Sequence, residues 1–178
     1  MKYSPHKYQE LAEEHIYEHP RCGLFLEMGL GKTVVTLTAL YNLMYDRFEI
    51  GKALVIAPLR VAEDTWSRES EKWDHLQGLT ISKILGTPTQ RRRALAREAD
   101  IYIINRENVV WLCDELSQVG DGWMFDAVVI DELSSFKSPK AQRFRALRKY
   151  ISRSSRVIGL TGTPAPNGLI DLWSQIYL

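Results

Sequence analysis

An α/β domain with a mostly parallel central sheet is the fold class that this sequence predicts, on three observations. Apolar, β-branched runs recur along the chain, as "GLFL", "ALVIA", "IYII", "AVVID" and "RVIGL". Three of these five are apolar throughout and the other two carry one charged residue at an end, the pattern of strands buried on both faces. Between them lie stretches of helix length, the crossovers that parallel strands require. "TISKIL" is a weaker sixth strand.

Each element has a local reason. An opening helix bearing Glu10, Glu13, Glu14 and Glu18 precedes the first strand. Helices are then expected at Thr33 to Tyr45, Val61 to Trp73, Thr89 to Glu98, Glu107 to Ser117 and Pro139 to Ile151, where amphipathic spacing holds. Trp66 and Trp73 stand seven apart on one face of their helix, and packing against the sheet accounts for both. "GTPT" and "VGDGW" read as turns. With no repeat and no internal linker, the 178 residues form one domain, 1–178, long enough to bury one core.

Composition narrows the function. Hydrophobic content of 45% and charged content of 25% are ordinary for a soluble globular protein, and no apolar run approaches the roughly 20 residues of a membrane span. The start, "MKYSPHKYQ", has no apolar signal core, so an intracellular, cytoplasmic setting without a membrane partner is expected. Cys22 and Cys113 form no C-x-x-C and read as buried thiols. The net charge is +1, but eight basic residues and no acidic one fall between Lys137 and Arg156. Phe144, Leu147 and Ile151 recur there at core spacing, which suits a solvated helix face; the same block suits an anionic backbone.

In a sheet of this kind ligands sit beyond the carboxyl ends of the strands, and the informative residues follow strands. After "GLFL" come Glu27, Met28, Gly29, Leu30, Gly31, Lys32 and Thr33, then a helix. Gly29 and Gly31 let backbone N–H groups converge on phosphate oxygens, and the helix N-terminus adds partial positive charge. Lys32 is placed to reach the outer phosphates and Thr33 to offer a hydroxyl to Mg²⁺. The pattern G-x-x-x-x-G-K-S/T is broken at Leu26, where its first glycine would stand. Such a cradle needs a metal carboxylate and a group for the attacking water. "AVVIDEL" supplies Asp131 for Mg²⁺ and Glu132 as the base.

With these two motifs in place the chain resembles the first motor lobe of superfamily 2 helicases, specifically Swi/Snf-type double-stranded DNA translocases. "EMGLGKT" looks like the family's first motif, in which the missing glycine is normal. "KYQ" is similar to the motif whose glutamine reads the adenine edge, which gives Gln9 that role. "LVIAP" with Trp66 and "EKW" resembles the next motif, although Leu59 and Arg60 replace its usual Ser or Thr. "GTPTQRR" and "IYIINRENV" look like two DNA-tracking segments, which brings in Arg91 and Asn105. "DEL" followed by Ser134 departs from the more frequent Asp-Glu-Ala-His. "LTGTPAPNGLIDLWSQIYL" is the closest match, and the resemblance gives Thr161, Gly162, Thr163 and Pro164 the task of connecting the ATP site to the tracked strand. Compact phage-encoded members look nearest, which would place the protein in a host cytoplasm.

The resemblance implies a three-layer α/β/α P-loop NTPase fold of RecA-like type. It implies ATP and Mg²⁺ as cofactors, Lys32 and Glu132 as catalytic residues, and an ATP site at Gln9 and Met28 to Thr33. Duplex DNA is the implied partner, contacted or coupled through Arg60, Arg91, Asn105, Ser134, Thr161, Gly162 and Thr163. The family's second lobe, with its arginine fingers, has no counterpart in these residues and is expected from the same longer chain or in trans. An arginine finger contributes roughly 10³ to 10⁵ in rate, so the lobe alone is expected to be nearly inactive. Two other readings fit the sequence: a stand-alone decoy, inhibitor or adaptor derived from a helicase lobe, and an RNA-directed helicase lobe.

Some features carry no chemistry. His15 and His19 lie four apart with no third ligand nearby, which suits solvent exposure. H-E-x-x-H and G-x-S-x-G are absent. Arg91, Arg92 and Arg93 form the sharpest basic cluster, and a wet surface and a DNA contact fit it equally.

Overall fold

The computed structural model describes residues 1–120, 122–133 and 141–162. Among these, six strands form one sheet: β1 (Arg21–Phe25), β2 (Ala53–Ala57), β3 (Ile81–Ile84), β4 (Ile101–Asn105), β5 (Ala127–Ile130) and β6 (Arg156–Thr161), in the order β1-β6-β5-β2-β4-β3. Every pairing is parallel, so "mostly parallel" understates the sheet. All six expected strands form, and their ends differ from the apolar runs by a residue or two.

The helices are α1 (Lys7–Glu18), α2 (Lys32–Tyr45), α3 (Trp66–Lys72), α4 (Pro88–Ala96), α5 (Val109–Ser117) and α6 (Ala141–Ile151). Side chains of a strand alternate between faces, so each central strand feeds two cores. Val55, Ala57, Ile103, Val129 and Ile158 pack with α1, α2 and α3 through Ile16, Leu37, Leu40 and Trp66. Leu54, Ile56, Ile104, Val128 and Val157 pack on the other face with α5 and α6 through Leu112, Leu116, Phe144 and Leu147. The result is the three-layer arrangement expected of the fold. Phe144, Leu147 and Ile151 are buried, as their spacing in the basic block predicts.

Three helices differ from their expected form, one of them α5, whose expected start at Glu107 lies in a 3-10 turn, Arg106–Asn108. The stretch Val61 to Trp73 opens with a π-turn, Val61–Thr65, before α3, and α3 ends at Lys72. Trp73 therefore falls at the C-cap, beyond the helix, and is only half-buried, but it packs against the same core cluster as Trp66, as expected. The "GTPT" turn is brief: the Thr87 side chain accepts from the Gln90 N–H and Pro88 is already helical, so the segment is a cap.

Cys22 and Cys113 are buried free thiols, pushed up to about 11 and about 12 by burial, which keeps them unreactive. The rings of His15 and His19 meet at a tilt, His19 exposed and His15 partly so, and the described residues contain no cluster of three or more His, Cys, Asp or Glu side chains placed to hold a metal ion. No described helix is long and apolar enough to cross a membrane. Arg156 ties α1 to β6. Its guanidinium donates to the Ile16 and Tyr17 carbonyls at 2.6 and 3.1 Å and to Glu49 at 2.7 Å.

Candidate nucleotide site

The site assembles at the carboxyl edge of β1, β6 and β5. The loop after β1 leaves the sheet while still paired to it, because the Leu26 N–H donates to the Thr161 carbonyl at 3.3 Å. Gly29 and Gly31 then take φ of 85° and 81°, a region that only glycine enters without strain, and Gly31 caps α2. Lys32 and Thr33 are the first residues of that helix.

A helper holds the loop from outside. Gln9 is buried on α1, and its Nε2 donates to the Leu30 carbonyl at 3.2 Å. Its Oε1 accepts the His6 N–H at 2.9 Å, closing a capping box at the start of α1. The Tyr8 hydroxyl donates to the same Leu30 carbonyl at 3.3 Å. Both ends of the Gln9 amide are thus engaged within the protein, where the glutamine fixes the loop. A Cβ on Gly31 would lie 2.6 Å from Gln9 Nε2, so the absent side chain is what allows the two to meet.

Strands in a sheet are about 4.8 Å apart, so β5 lies roughly 10 Å from β1 with β6 between them. The long Lys32 side chain extends into that gap. It passes the end of β6, where its Nζ lies 3.6 Å from the position of a Cβ on Gly162, and its charge acts on Asp131. Asp131 itself is buried. Its Oδ1 accepts the Glu132 N–H at 2.9 Å and its Oδ2 accepts the Trp66 indole N–H at 3.1 Å. Burial raises its pKa above the ordinary carboxylate value, opposed by the Trp66 hydrogen bond and by Lys32. Glu132 sits at φ 52°, a costly conformation for a residue with a Cβ, and it is exposed.

A cavity of about 430 Å³ opens beside the loop, lined by Gly29, Gly31, Lys32 and Thr33 on one side and by Gln9, Tyr8 and Trp73 on the other. The residues fit a Mg²⁺-nucleotide. Thr33 and Asp131 are the hard oxygen ligands that Mg²⁺ prefers, and space is open at Gly29, where a Cβ would meet nothing within 4 Å. Met28 projects to solvent at 89% exposure, beside Gly162.

Of the residues assigned to DNA or coupling, Arg60, Asn105 and Arg91 fall away from this site, whereas Thr161 and Gly162 border it. Arg60 is exposed at the start of the π-turn. Asn105 is buried at the end of β4, where it donates to Glu107 at 3.1 Å and accepts from Asn108 at 2.7 Å. Arg91 turns inward, hydrogen-bonded to Asn108 and stacked 4.4 Å above the Trp111 ring. Thr161 is buried and Gly162 is half-buried against the loop. Ser134, Thr163 and Pro164 lie outside the described residues.

Sequence reasoning missed Trp66 as a partner of Asp131 and Trp73 as a cavity wall. A buried tryptophan needs an acceptor for its N–H, and that requirement was the available signal for Trp66. Nothing in local spacing distinguishes Trp73 from a core residue.

Comparison with known proteins decides the family. The SNF2-related domain model matches residues 11–178. The chain belongs to that family. A putative protein p41 of Acyrthosiphon pisum secondary endosymbiont phage 1 is 42% identical over 98% of this chain and 39% of its own length. Helicase SWR1 of Mycosarcoma maydis is 32% identical over 85% of this chain and 8% of its own. The Sulfolobus solfataricus SWI2/SNF2 ATPase core in complex with dsDNA superposes with a TM-score of 0.79 at 26% identity, covering 99% of this chain and 36% of that one. The bacteriophage T4 UvsW helicase, at 16% identity and a TM-score of 0.74, shares the fold. The SNF2-related chain is therefore a first motor lobe of the superfamily 2 helicase type; it spans 57% of the UvsW chain and well under half the length of the other three.

Proposed function

We propose that this lobe binds ATP with Mg²⁺ and serves a DNA-dependent ATPase that translocates on duplex DNA. The observation that carries the reading is the cavity lined by Gly29, Gly31, Lys32 and Thr33 after β1, with the buried Asp131 carboxylate at the end of β5, two strands along the same edge. In this arrangement the loop N–H groups and Lys32 hold the phosphates, Gln9 keeps the loop in shape at the adenine end, and Thr33 and Asp131 hold the metal. Mg²⁺, when bound, supplies positive charge to the outer phosphates. Glu132 orients the attacking water and takes its proton.

Duplex DNA as the track is supported by the SWI2/SNF2 core whose structure contains it. Arg60, exposed beyond β2, is the described candidate that is free to meet a phosphate backbone. Backbone contacts make such tracking sequence-tolerant and sensitive to salt. The second lobe, in the same longer chain or in trans, supplies the opposite wall and the arginine fingers, and the lobe alone turns over slowly. The motor reading is preferred to a stand-alone decoy because the phage relative continues well beyond the matched region.

The test is ATP hydrolysis by a form that includes the second lobe, with and without duplex DNA and duplex RNA. Stimulation by DNA and its loss in Lys32→Ala are expected. A rate indifferent to both would end the reading.

A further inference from the structure

Among the described residues Trp66 heads the fully buried side chains by volume, and its indole N–H donates to Oδ2 of Asp131 at 3.1 Å. The other oxygen accepts the Glu132 N–H at 2.9 Å. One neutral donor on each oxygen fixes the plane of the carboxylate. An ionised carboxylate has about four lone-pair positions, so roughly two remain for a ligand. This is what a metal carboxylate needs from its surroundings: orientation without loss of its negative charge.

The backbone that carries Trp66 is unusual in the matching place. The five residues before it, Val61–Thr65, form a π-turn. Such turns are rare and tend to occur at functional sites. Each helical residue advances about 100°, so without the extra residue of the π-turn the indole would face about 100° away from the end of β5. The same turn sets Thr65 in the wall of the nucleotide cavity and begins at the exposed Arg60. A tryptophan needed only to fill the core has no use for this aim.

We propose that Trp66 is the positioning residue for the magnesium carboxylate: its indole N–H fixes Asp131 so that the unused edge of the carboxylate faces the metal and its water shell. The inference rests on the ATP–Mg²⁺ reading above and adds a residue to it. Groups that orient a metal ligand from behind typically contribute 10- to 100-fold in metal affinity or activity.

The test is equilibrium binding of N-methylanthraniloyl-ADP to the lobe, titrated with Mg²⁺, in the wild type and in Trp66→Phe. Phenylalanine keeps most of the packing and removes the donor. The variant is expected to bind nucleotide without Mg²⁺ as the wild type does, and to need about 10-fold more Mg²⁺ for the metal-dependent gain. Superimposable Mg²⁺ curves would overturn the role of Trp66 alone. A wild-type lobe that binds no nucleotide, with or without Mg²⁺, would overturn the ATP reading and this inference together. Should Trp66→Phe fail to fold, the assigned indole ¹H–¹⁵N resonance of Trp66 in the wild type gives the answer. It is expected to shift when Mg²⁺ is added to the ADP-saturated lobe, and a resonance that stays in place rejects the proposal.

Discussion

The carboxyl edge of the sheet has two halves, and they use their polar residues in opposite ways. Beyond β1, β6 and β5 the chain turns sharply and leaves its chemistry at one edge: Lys32 and Thr33 line a cavity, and Asp131 is buried at the end of β5. Beyond β2, β4 and β3 most of the assigned residues serve the fold itself. Asn105 is buried between Glu107 and Asn108, and Arg91 lies on Trp111. Only Arg60 of that group stands exposed. A small ligand needs a preformed, rigid pocket, and the first half supplies one. A polymer track is read by exposed charge, and the second half presents less of it than its arginine count suggests.

The largest effect that would undo this contrast belongs to Lys32. In a form that includes the second lobe, Lys32→Ala is expected to lower ATP hydrolysis by about 10² to 10³, as loss of one charge-stabilising group does, with little change in melting temperature. A variant with full activity would mean that the first half is only a turn between a strand and a helix.

Next come the two loop glycines, which share a conformation and differ in surroundings. Both have positive φ, but a Cβ at Gly29 meets nothing within 4 Å while one at Gly31 meets Gln9 at 2.6 Å. Gly29→Ala is expected to cost about 1 kcal/mol from backbone strain alone, and Gly31→Ala about 2–3 kcal/mol. Chemical denaturation measures both. The difference between them isolates the hold of Gln9 on the loop, and equal costs would show that hold to be unimportant.

What was legible beforehand follows the same division. Continuous apolar runs as short and β-branched as "ALVIA" and "IYII" read as strands covered on both faces, so the sheet was readable in outline. The loop and "DEL" were readable because each follows a strand and because glycine at a forced backbone angle leaves a mark in the sequence. The bond from Trp66 to Asp131 was not, since it joins residues 65 apart and depends on a π-turn that no spacing rule anticipates. The inward turn of Arg91 was equally hidden, because Trp111 comes alongside only when α4 and α5 pack on one face. Ser134, Thr163 and Pro164, outside the described residues, stay as the sequence leaves them.

The two arginines of the second half separate packing from recognition. Arg91→Ala removes a stacked guanidinium and its bond to Asn108, and is expected to destabilise the fold by about 1–2 kcal/mol. Arg60→Ala is expected to leave stability unchanged and to reduce the salt slope of duplex binding by about one. Thermal melting and binding isotherms at several salt concentrations check the pair. An Arg91→Ala variant that melts like the wild type but binds DNA with a lower slope would return Arg91 to the track.

The smallest expected effect concerns pH and the outer wall of the cavity. His75 stacks on Tyr3 with ring centroids 4.9 Å apart, and its Nε2 lies 2.8 Å from the Thr38 hydroxyl. Its Nδ1 is buried with no hydrogen-bond partner. Burial lowers the His75 pKa, and neighbouring Asp74, which also pairs with the Met1 amine, opposes that shift. The unfolded chain accepts the proton near the ordinary histidine value of about 6.5, whereas the folded chain resists it until the pH is lower. Stability from this group is therefore complete above about pH 6.5 and declines as pH falls from there towards the depressed folded value. Tyr3 and Trp73 line the cavity and touch edge to face at 5.4 Å, so nucleotide affinity is expected to weaken over the same window. His75→Phe keeps a ring against Tyr3 and cannot titrate. The wild type should lose more melting temperature than this variant between pH 7 and pH 5, and equal losses would assign the acid sensitivity to other groups.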